Sequence, residues 1–271
     1  MFAADTRKLA RLEPTVRRTL IVEPNLHAAR LLVDIIKGLG AREIHVEQTD
    51  AKAMIMAREL EPGLIFTERG GAALDGEAFV RQLRRSHLGC RNAPVIMVTA
   101  DATANTIKGA RDVGVHEFLR KPFTSADLLK RVENVALKPR DWIEGIAYVG
   151  PDRRRFNSGE YAGPQKRKND RPTGAIAVAA AVKDQALRIL AAALDQFDTD
   201  PVQAARAARQ QAVTLKQLAM KTSDARMAVA VSALDVALSG TTTSKASLAG
   251  PIGGLLALAD PADPAATRKT G

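Results

Sequence analysis

A chain of 271 residues with 46% hydrophobic content has the length of one or two domains and too much apolar side chain for a wholly disordered protein. Its one cysteine, Cys90, excludes an internal disulfide and fits a reducing cytosol, and no apolar run reaches the ~18 residues of a membrane span. The formal charge of +10 favours a polyanionic partner, whether a nucleotide, a nucleic acid or an acidic protein surface, without choosing among them.

Residues 1–16 lack the apolar stretch of a secretory signal and read as a flexible basic leader. From residue 17 to 137 strands and helices alternate. Leu20-Ile21-Val22 reads as the first strand, and residues 26–39 as a helix with Leu32, Ile35, Ile36 and Leu39 on one face and Gly40 as its stop. Glu43 to Glu47 alternates apolar with polar as a second strand, and a helix over about 50–60 ends before Pro62. Leu64-Ile65-Phe66 is the third strand, followed by Asp75-Gly76 and a helix carrying Phe79, Val80 and Leu83. Pro94 enters a fourth strand, Val95 to Val98, and a helix over about 103–112 stops near Gly114. Phe118-Leu119 is the fifth strand, and Ser125 is expected to cap a last helix with Leu128, Leu129 and Val132. This (βα)5 order predicts an α/β fold, a doubly wound parallel sheet covered on both faces, with its ligands at the carboxyl ends of the strands.

Residues 138–172 are rich in Gly, Pro, Arg and Lys without apolar periodicity, and read as a linker or an extended recognition arm. Residues 173–239 are Ala-rich and predict three helices. Their stripes are Leu187, Leu190, Leu194 and Phe197; then, after Asp198-Thr199-Asp200-Pro201 as a stop followed by an N-cap and a Pro at the first helical position, Val202, Ala205, Ala208, Ala212 and Leu215; then Met227, Val231, Leu234 and Leu238. Side chains so small bury little, which predicts docking or a homodimer through these helices. Residues 240–271 read as a weakly ordered tail with a short helix near Leu255.

Pro62 to Glu68, Leu74-Asp75-Gly76, Val98-Thr99-Ala100 and Leu119 to Phe123 resemble, in the right strand order, the motifs of the CheY-like receiver domains of response regulators. The resemblance covers residues 17–137 and implies the flavodoxin-like receiver fold and a cytoplasmic, non-enzymatic role in two-component signalling. It places Glu68 where the phosphoacceptor Asp belongs, Glu23 at the first acidic position and Pro24 where a metal ligand is expected. Thr99 matches the switch hydroxyl, Lys121 the phosphoryl-binding lysine and Phe118 the switch aromatic. A Glu is one methylene too long for in-line transfer, and Pro24 has no side-chain oxygen for Mg²⁺. The expectation is a pseudo-receiver without catalytic residues, metal or cofactor, in which Glu68 and Lys121 still pair.

Tyr148-Val149-Gly150-Pro151-Asp152-Arg153-Arg154-Arg155 is written again, in outline, as Tyr161-Ala162-Gly163-Pro164-Gln165-Lys166-Arg167-Lys168. Flat side chains beside arginines suit base stacking, and a guanidinium also forks onto phosphate or a guanine edge. This arm resembles the arginine-rich extension of CheY-like flagellar motor regulators that bind cyclic di-GMP, which implies Arg153, Arg154, Arg155, Arg167, Tyr148 and Tyr161 as nucleotide-binding residues. A solvated basic linker is the plain alternative. The partners expected are a protein on the receiver face, from the flagellar motor or another signalling system, and a cyclic dinucleotide; no membrane is expected. An ordinary phosphorelay regulator and a nucleic-acid-binding regulator are the competing readings. No helix-turn-helix after residue 172 supports nucleic acid. His27, His45, His87 and His116 show no metal-ligand spacing.

Overall fold

The computed structural model describes residues 6–153, 175–240 and 243–259. Strands β1 (Arg18–Val22), β2 (Glu43–Glu47) and β3 (Leu64–Thr67) are followed by a small hairpin, β4 (Gly70–Gly71) and β5 (Leu74–Asp75), then by β6 (Val95–Thr99) and β7 (Glu117–Arg120). The five long strands form one parallel sheet in the order β2-β1-β3-β6-β7. The helices are α1 (Thr6–Val16), α2 (Leu26–Gly38), α3 (Asp50–Leu60), α4 (Gly76–Arg85), α5 (Ala104–Asp112) and α6 (Ser125–Leu137).

Strand side chains alternate between two apolar cores. Leu20, Val22, Ile65, Met97 and Phe118 meet residues of α3, α4 and α5, while Ile21, Leu64, Phe66, Ile96 and Leu119 meet those of α1, α2 and α6. Burial on both faces is why these strands read as unbroken apolar runs rather than as alternating ones. Two local expectations are corrected. The expected flexible leader contains the helix α1, whose Leu12 and Val16 are fully buried, because Leu9, Leu12 and Val16 fall on one helical face. The cap of α6 is Thr124 rather than Ser125: its hydroxyl accepts the Asp127 N–H while the Asp127 carboxylate accepts the Thr124 N–H, a reciprocal pair that Ser125 would set one residue too late. Cys90 is buried with its thiol donating to the Ala57 carbonyl, and desolvation pushes its pKa up to about 11, so it is an inert thiol.

The chain divides into two compact units. The first runs to Ile143 and resumes at Tyr148, and the second takes Glu144–Ala147 and the C-terminal helices. Residues 138–153 are thus not the start of a free arm. Trp142–Glu144 (β8) and Val149–Pro151 (β9) pair as a two-stranded ribbon. Tyr148 is buried and donates its hydroxyl to the Pro151 carbonyl at 2.6 Å. Gly114, at φ +96°, lets the ribbon approach: a Cβ there would stand 2.7 Å from the Val149 carbonyl oxygen. Arg84, 1% exposed, holds the same region by donating to the carbonyls of Gly114, Arg91 and Ala93.

In the second unit α7 (Ala175–Asp195) packs on α8 (Pro201–Thr222) and on α10 (Lys245–Leu256), and α9 (Ala225–Ser239) on α8 and α10. The result is a closed ring of four helices. Asp200 caps α8 with Pro201 at its first position, as read. Leu187, Leu190 and Phe197 are buried inside the bundle, so this stripe is not an exposed association face. Leu194 is half-buried, and Val202, expected in the second stripe, is 44% exposed because α8 turns Gln203 and Ala204 inward instead. The short helix expected near Leu255 is α10, longer than expected, and it buries Leu248, Ile252 and Leu255 in the bundle core. Gln203 ties residues 144–147 into this unit, its amide donating to Glu144 Oε1 at 3.2 Å and to the Gly145 carbonyl at 3.0 Å. Among the described residues no helix is long and apolar enough to cross a membrane.

Candidate functional site

The carboxyl ends of β1, β3, β6 and β7 deliver Glu23, Glu68, Thr99 and Lys121 to one place, as the strand order requires. The Lys121 ammonium donates to Glu68 Oε2 at 2.6 Å and to Glu23 Oε2 at 2.7 Å. The remaining carboxylate oxygens are also used: Glu23 Oε1 accepts the Asn25 N–H at 3.0 Å, and Glu68 Oε1 the Arg69 N–H at 2.7 Å. Side-chain exposures of 3% for Glu23, 12% for Glu68 and 23% for Lys121 make this an enclosed triad rather than a surface ion pair. Burial by itself would lower the lysine pKa. The hydrogen bonds that Lys121 donates to Glu23 and Glu68, and their charges, outweigh it and hold the ammonium above its ordinary value.

Backbone geometry fixes the triad. Lys121 N–H donates to the Thr99 carbonyl at 2.8 Å, carrying the β6–β7 register past the strand ends. Asp75 caps α4 by accepting the Ala78 N–H, and Gly76 follows because a Cβ there would fall 2.1 Å from the Glu68 carbonyl oxygen. Thr99 is buried beside the triad, and its hydroxyl accepts the Asp101 N–H at 3.4 Å. Phe118 is 3% exposed and lies in the core facing α3, α4 and α5.

An outer ring was not read from the sequence. Arg69 reaches Glu77 Oε1 at 3.1 Å and Asp101 Oδ2 at 3.0 Å, and Asp101 Oδ2 also accepts the Thr106 hydroxyl at 3.0 Å. These residues tie the loop after β3 to the loop after β6. Asp101, two residues past Thr99 and three before Ala104 opens α5, was the available signal.

Mg²⁺ needs near-octahedral oxygens. Here the inward oxygens of both glutamates face an ammonium and Pro24 offers none, so the residues present do not fit the cation. Among the described residues no group of three or more His, Cys, Asp or Glu side chains is placed to share a metal.

Of the nucleotide-binding residues expected from the sequence, the structure brings two together. The Arg153 guanidinium lies 4.4 Å from the Tyr148 ring centroid and donates to Asp112 Oδ1 at 3.1 Å. Burial pushes the Tyr148 phenol up to about 12. Arg154, Arg155, Tyr161 and Arg167 lie outside the described residues.

Residues 19–133 match the response regulator receiver domain. That segment is similar to the receiver domains of response regulators. It is 31% identical over 114 residues to a C4-dicarboxylate response regulator of Halalkalibacterium halodurans, covering 41% of this chain and 47% of that one. It is 23% identical over 118 residues to the chemotaxis protein CheY-3 of Vibrio cholerae, covering 44% of this chain and 90% of that one. Among solved structures, the Vibrio cholerae chemotaxis protein CheY4 aligns with a TM-score of 0.40 at 20% identity, over 43% of this chain and 96% of that one. The chain thus spans about half the length of the dicarboxylate regulator. The receiver's strand ends are the ones that carry the lysine triad.

Proposed function

We propose that the receiver works without phosphoryl transfer, as an adaptor held in one conformation, and that its output is protein contact through the face built by β6, β7, α5 and α6. The single observation that supports this is Lys121 bridging Glu23 and Glu68 at 2.7 and 2.6 Å. An incoming phosphoryl group would have to displace a buried ion pair from both carboxylates, and the misplaced Glu68 oxygen is poorly set for in-line attack. The lysine instead neutralises the pocket much as it would in the presence of a phosphorylated acceptor. Partners from a chemotaxis or flagellar motor system are proposed from the CheY-3 likeness. Acetyl phosphate with Mg²⁺ tests the reading: intact mass should be unchanged, whereas a phosphate adduct on Glu68 would return the protein to the ordinary phosphorelay class.

The cyclic di-GMP reading takes a narrower form. Tyr148 is buried and Arg153 is engaged by Asp112, so recognition would fall on Arg154, Arg155, Arg167 and Tyr161. Calorimetry of the full chain against cyclic di-GMP decides it. Binding should vanish in Arg154→Lys/Arg155→Lys, because an ammonium keeps charge but loses the planar fork. A wild type that binds nothing ends this reading and leaves the adaptor reading standing.

A further inference from the structure

The second unit carries a groove that the packing of its own helices does not fill. Helices α7 and α8 run antiparallel through the short turn that ends at Asp200. Between the first half of α7 and the last half of α8 lies a cavity of about 600 Å³, within the ~300–1,000 Å³ of small-molecule sites. Its α7 wall is Val178 and Val182, one turn apart and 47% and 36% exposed. The buried Leu218 of α8 lines it as well. From Val178 to Val182 the helix is apolar all round, a pattern that ordinarily means burial on every side. The alanines at 179–181 are too short to close the gap to α8, so the valines stay wet.

The α8 wall is polar at its rim, and its groups are not equally available. The Thr214 and Thr222 hydroxyls donate to the Gln210 and Leu218 carbonyls of their own helix, so neither hydrogen is left for a ligand. Lys221 is the one charged residue among those that line the groove. It is exposed and has no carboxylate partner among the described residues. Val178 closes the first turn of α7 and Lys221 lies in the last turn of α8. The opposed helix dipoles therefore largely cancel there, and the ammonium sets the sign of the field.

An apolar trough with a single cation at one end matches an anion with an apolar tail. It does not match a second copy of this chain, because a two-fold contact across the groove would bring a second Lys221 ammonium to the same trough.

We propose that the α7–α8 groove binds a single-chain alkyl carboxylate, with its carboxylate on the Lys221 ammonium and its tail along Val178, Val182 and Leu218. Such a ligand gives the helical unit a small-molecule input that rests neither on the lysine triad nor on cyclic di-GMP.

The full chain is titrated with hexanoate, octanoate and decanoate below their micelle concentrations, followed by calorimetry and by the methyl resonances of Val178, Val182 and Leu218. Saturable shifts of those methyls are expected. Each added methylene should tighten binding about two- to fourfold, because it buries apolar area that ion pairing alone would leave untouched. Octanol should bind more weakly than octanoate, and octylammonium least. Lys221→Met should bring octanoate down to the level of octanol. Lys221→Glu should weaken octanoate about five- to tenfold and favour octylammonium instead. Both changes fall at a solvent-facing position and leave the bundle core as it is. The proposal falls if those methyls do not move with any carboxylate in the low millimolar range, if affinity ignores chain length, or if octylammonium binds as well as octanoate. It falls equally if neither Lys221 variant alters the order of preference, or if sedimentation shows a dimer that octanoate dissociates, which would give the groove to a second copy.

Discussion

The two ends of one parallel sheet solve the problem of buried charge in opposite ways. At the carboxyl ends, two glutamates and one lysine satisfy each other, with every carboxylate oxygen bonded. At the amino ends, Arg84 is buried with no carboxylate of its own and is satisfied by the carbonyls of Gly114, Arg91 and Ala93. Desolvation lowers its pKa to about 9, and the neighbouring His116 is held well below its usual pKa first by burial and then by the Arg84 charge beside it. The comparison separates charges that satisfy one another directly from a buried cation satisfied by backbone carbonyls.

The largest effect should come from breaking the amino end. Arg84→Ala leaves three carbonyls without their donor and opens a void beside Trp142, whose ring lies 5.2 Å from the Arg84 guanidinium. A loss of about 3–5 kcal/mol is expected in urea unfolding. At the carboxyl end, Lys121→Met leaves Glu23 and Glu68 facing each other without a counter-charge and should cost about 2–4 kcal/mol. Adding Glu68→Gln should recover part of that loss, because it removes one of the two repelling charges. Absence of recovery would mean that the triad is not one electrostatic unit.

The alternation of strands and helices, the cover on both faces of the sheet and the Lys121–Glu68 pair were legible, because strands buried on both faces leave unbroken apolar runs and the motif spacing places their ends together. The link from Lys121 to Glu23 was not, since it joins residues 98 apart and depends on side-chain reach. Helix α10 was legible only as a short helix near Leu255, because Gly250, Pro251, Gly253 and Gly254 interrupt a segment in which Leu248, Ile252 and Leu255 keep the helical spacing. The ribbon of Trp142 and Tyr148 was missed for a different reason. Scarce aromatics beside arginines were assigned to a ligand, whereas Arg84, Arg91 and Arg153 use those rings within the protein.

A pH series sharpens the comparison further. The folded pKa of His116 lies well below its unfolded value of about 6.5. Above that value both states are neutral and stability is unaffected by this group. Below it the unfolded chain takes a proton that the folded one refuses, so stability falls with pH, by up to about 1.4 kcal/mol per unit, until the folded pKa is reached. Lys121 runs the other way: its raised pKa gives stability that is complete at neutral pH and is lost only as strongly alkaline conditions deprotonate it. Urea midpoints from neutral pH down to about pH 5 should therefore decline, with the His116 ring signals remaining those of the neutral form. Titration of His116 near its ordinary value would show that burial beside Arg84 does not hold the ring neutral.

The smallest effect belongs to Arg153, and its smallness is informative. Its side chain is 46% exposed, it meets Asp112 at 3.1 Å and it lies over Tyr148. An exposed ion pair contributes about 0–1 kcal/mol and an exposed cation–π contact about 0.5–1 kcal/mol, so Arg153→Ala should cost no more than about 1 kcal/mol in unfolding. Tyr148 keeps its buried position and its hydrogen bond to Pro151, which do not depend on Arg153. Arg153→Ala therefore tests cyclic di-GMP binding on an intact fold. If calorimetry shows binding in the wild type and the variant loses it, Arg153 leaves Asp112 to meet the ligand. If binding persists, Arg153 serves the ribbon alone and recognition rests on the arginines that follow it.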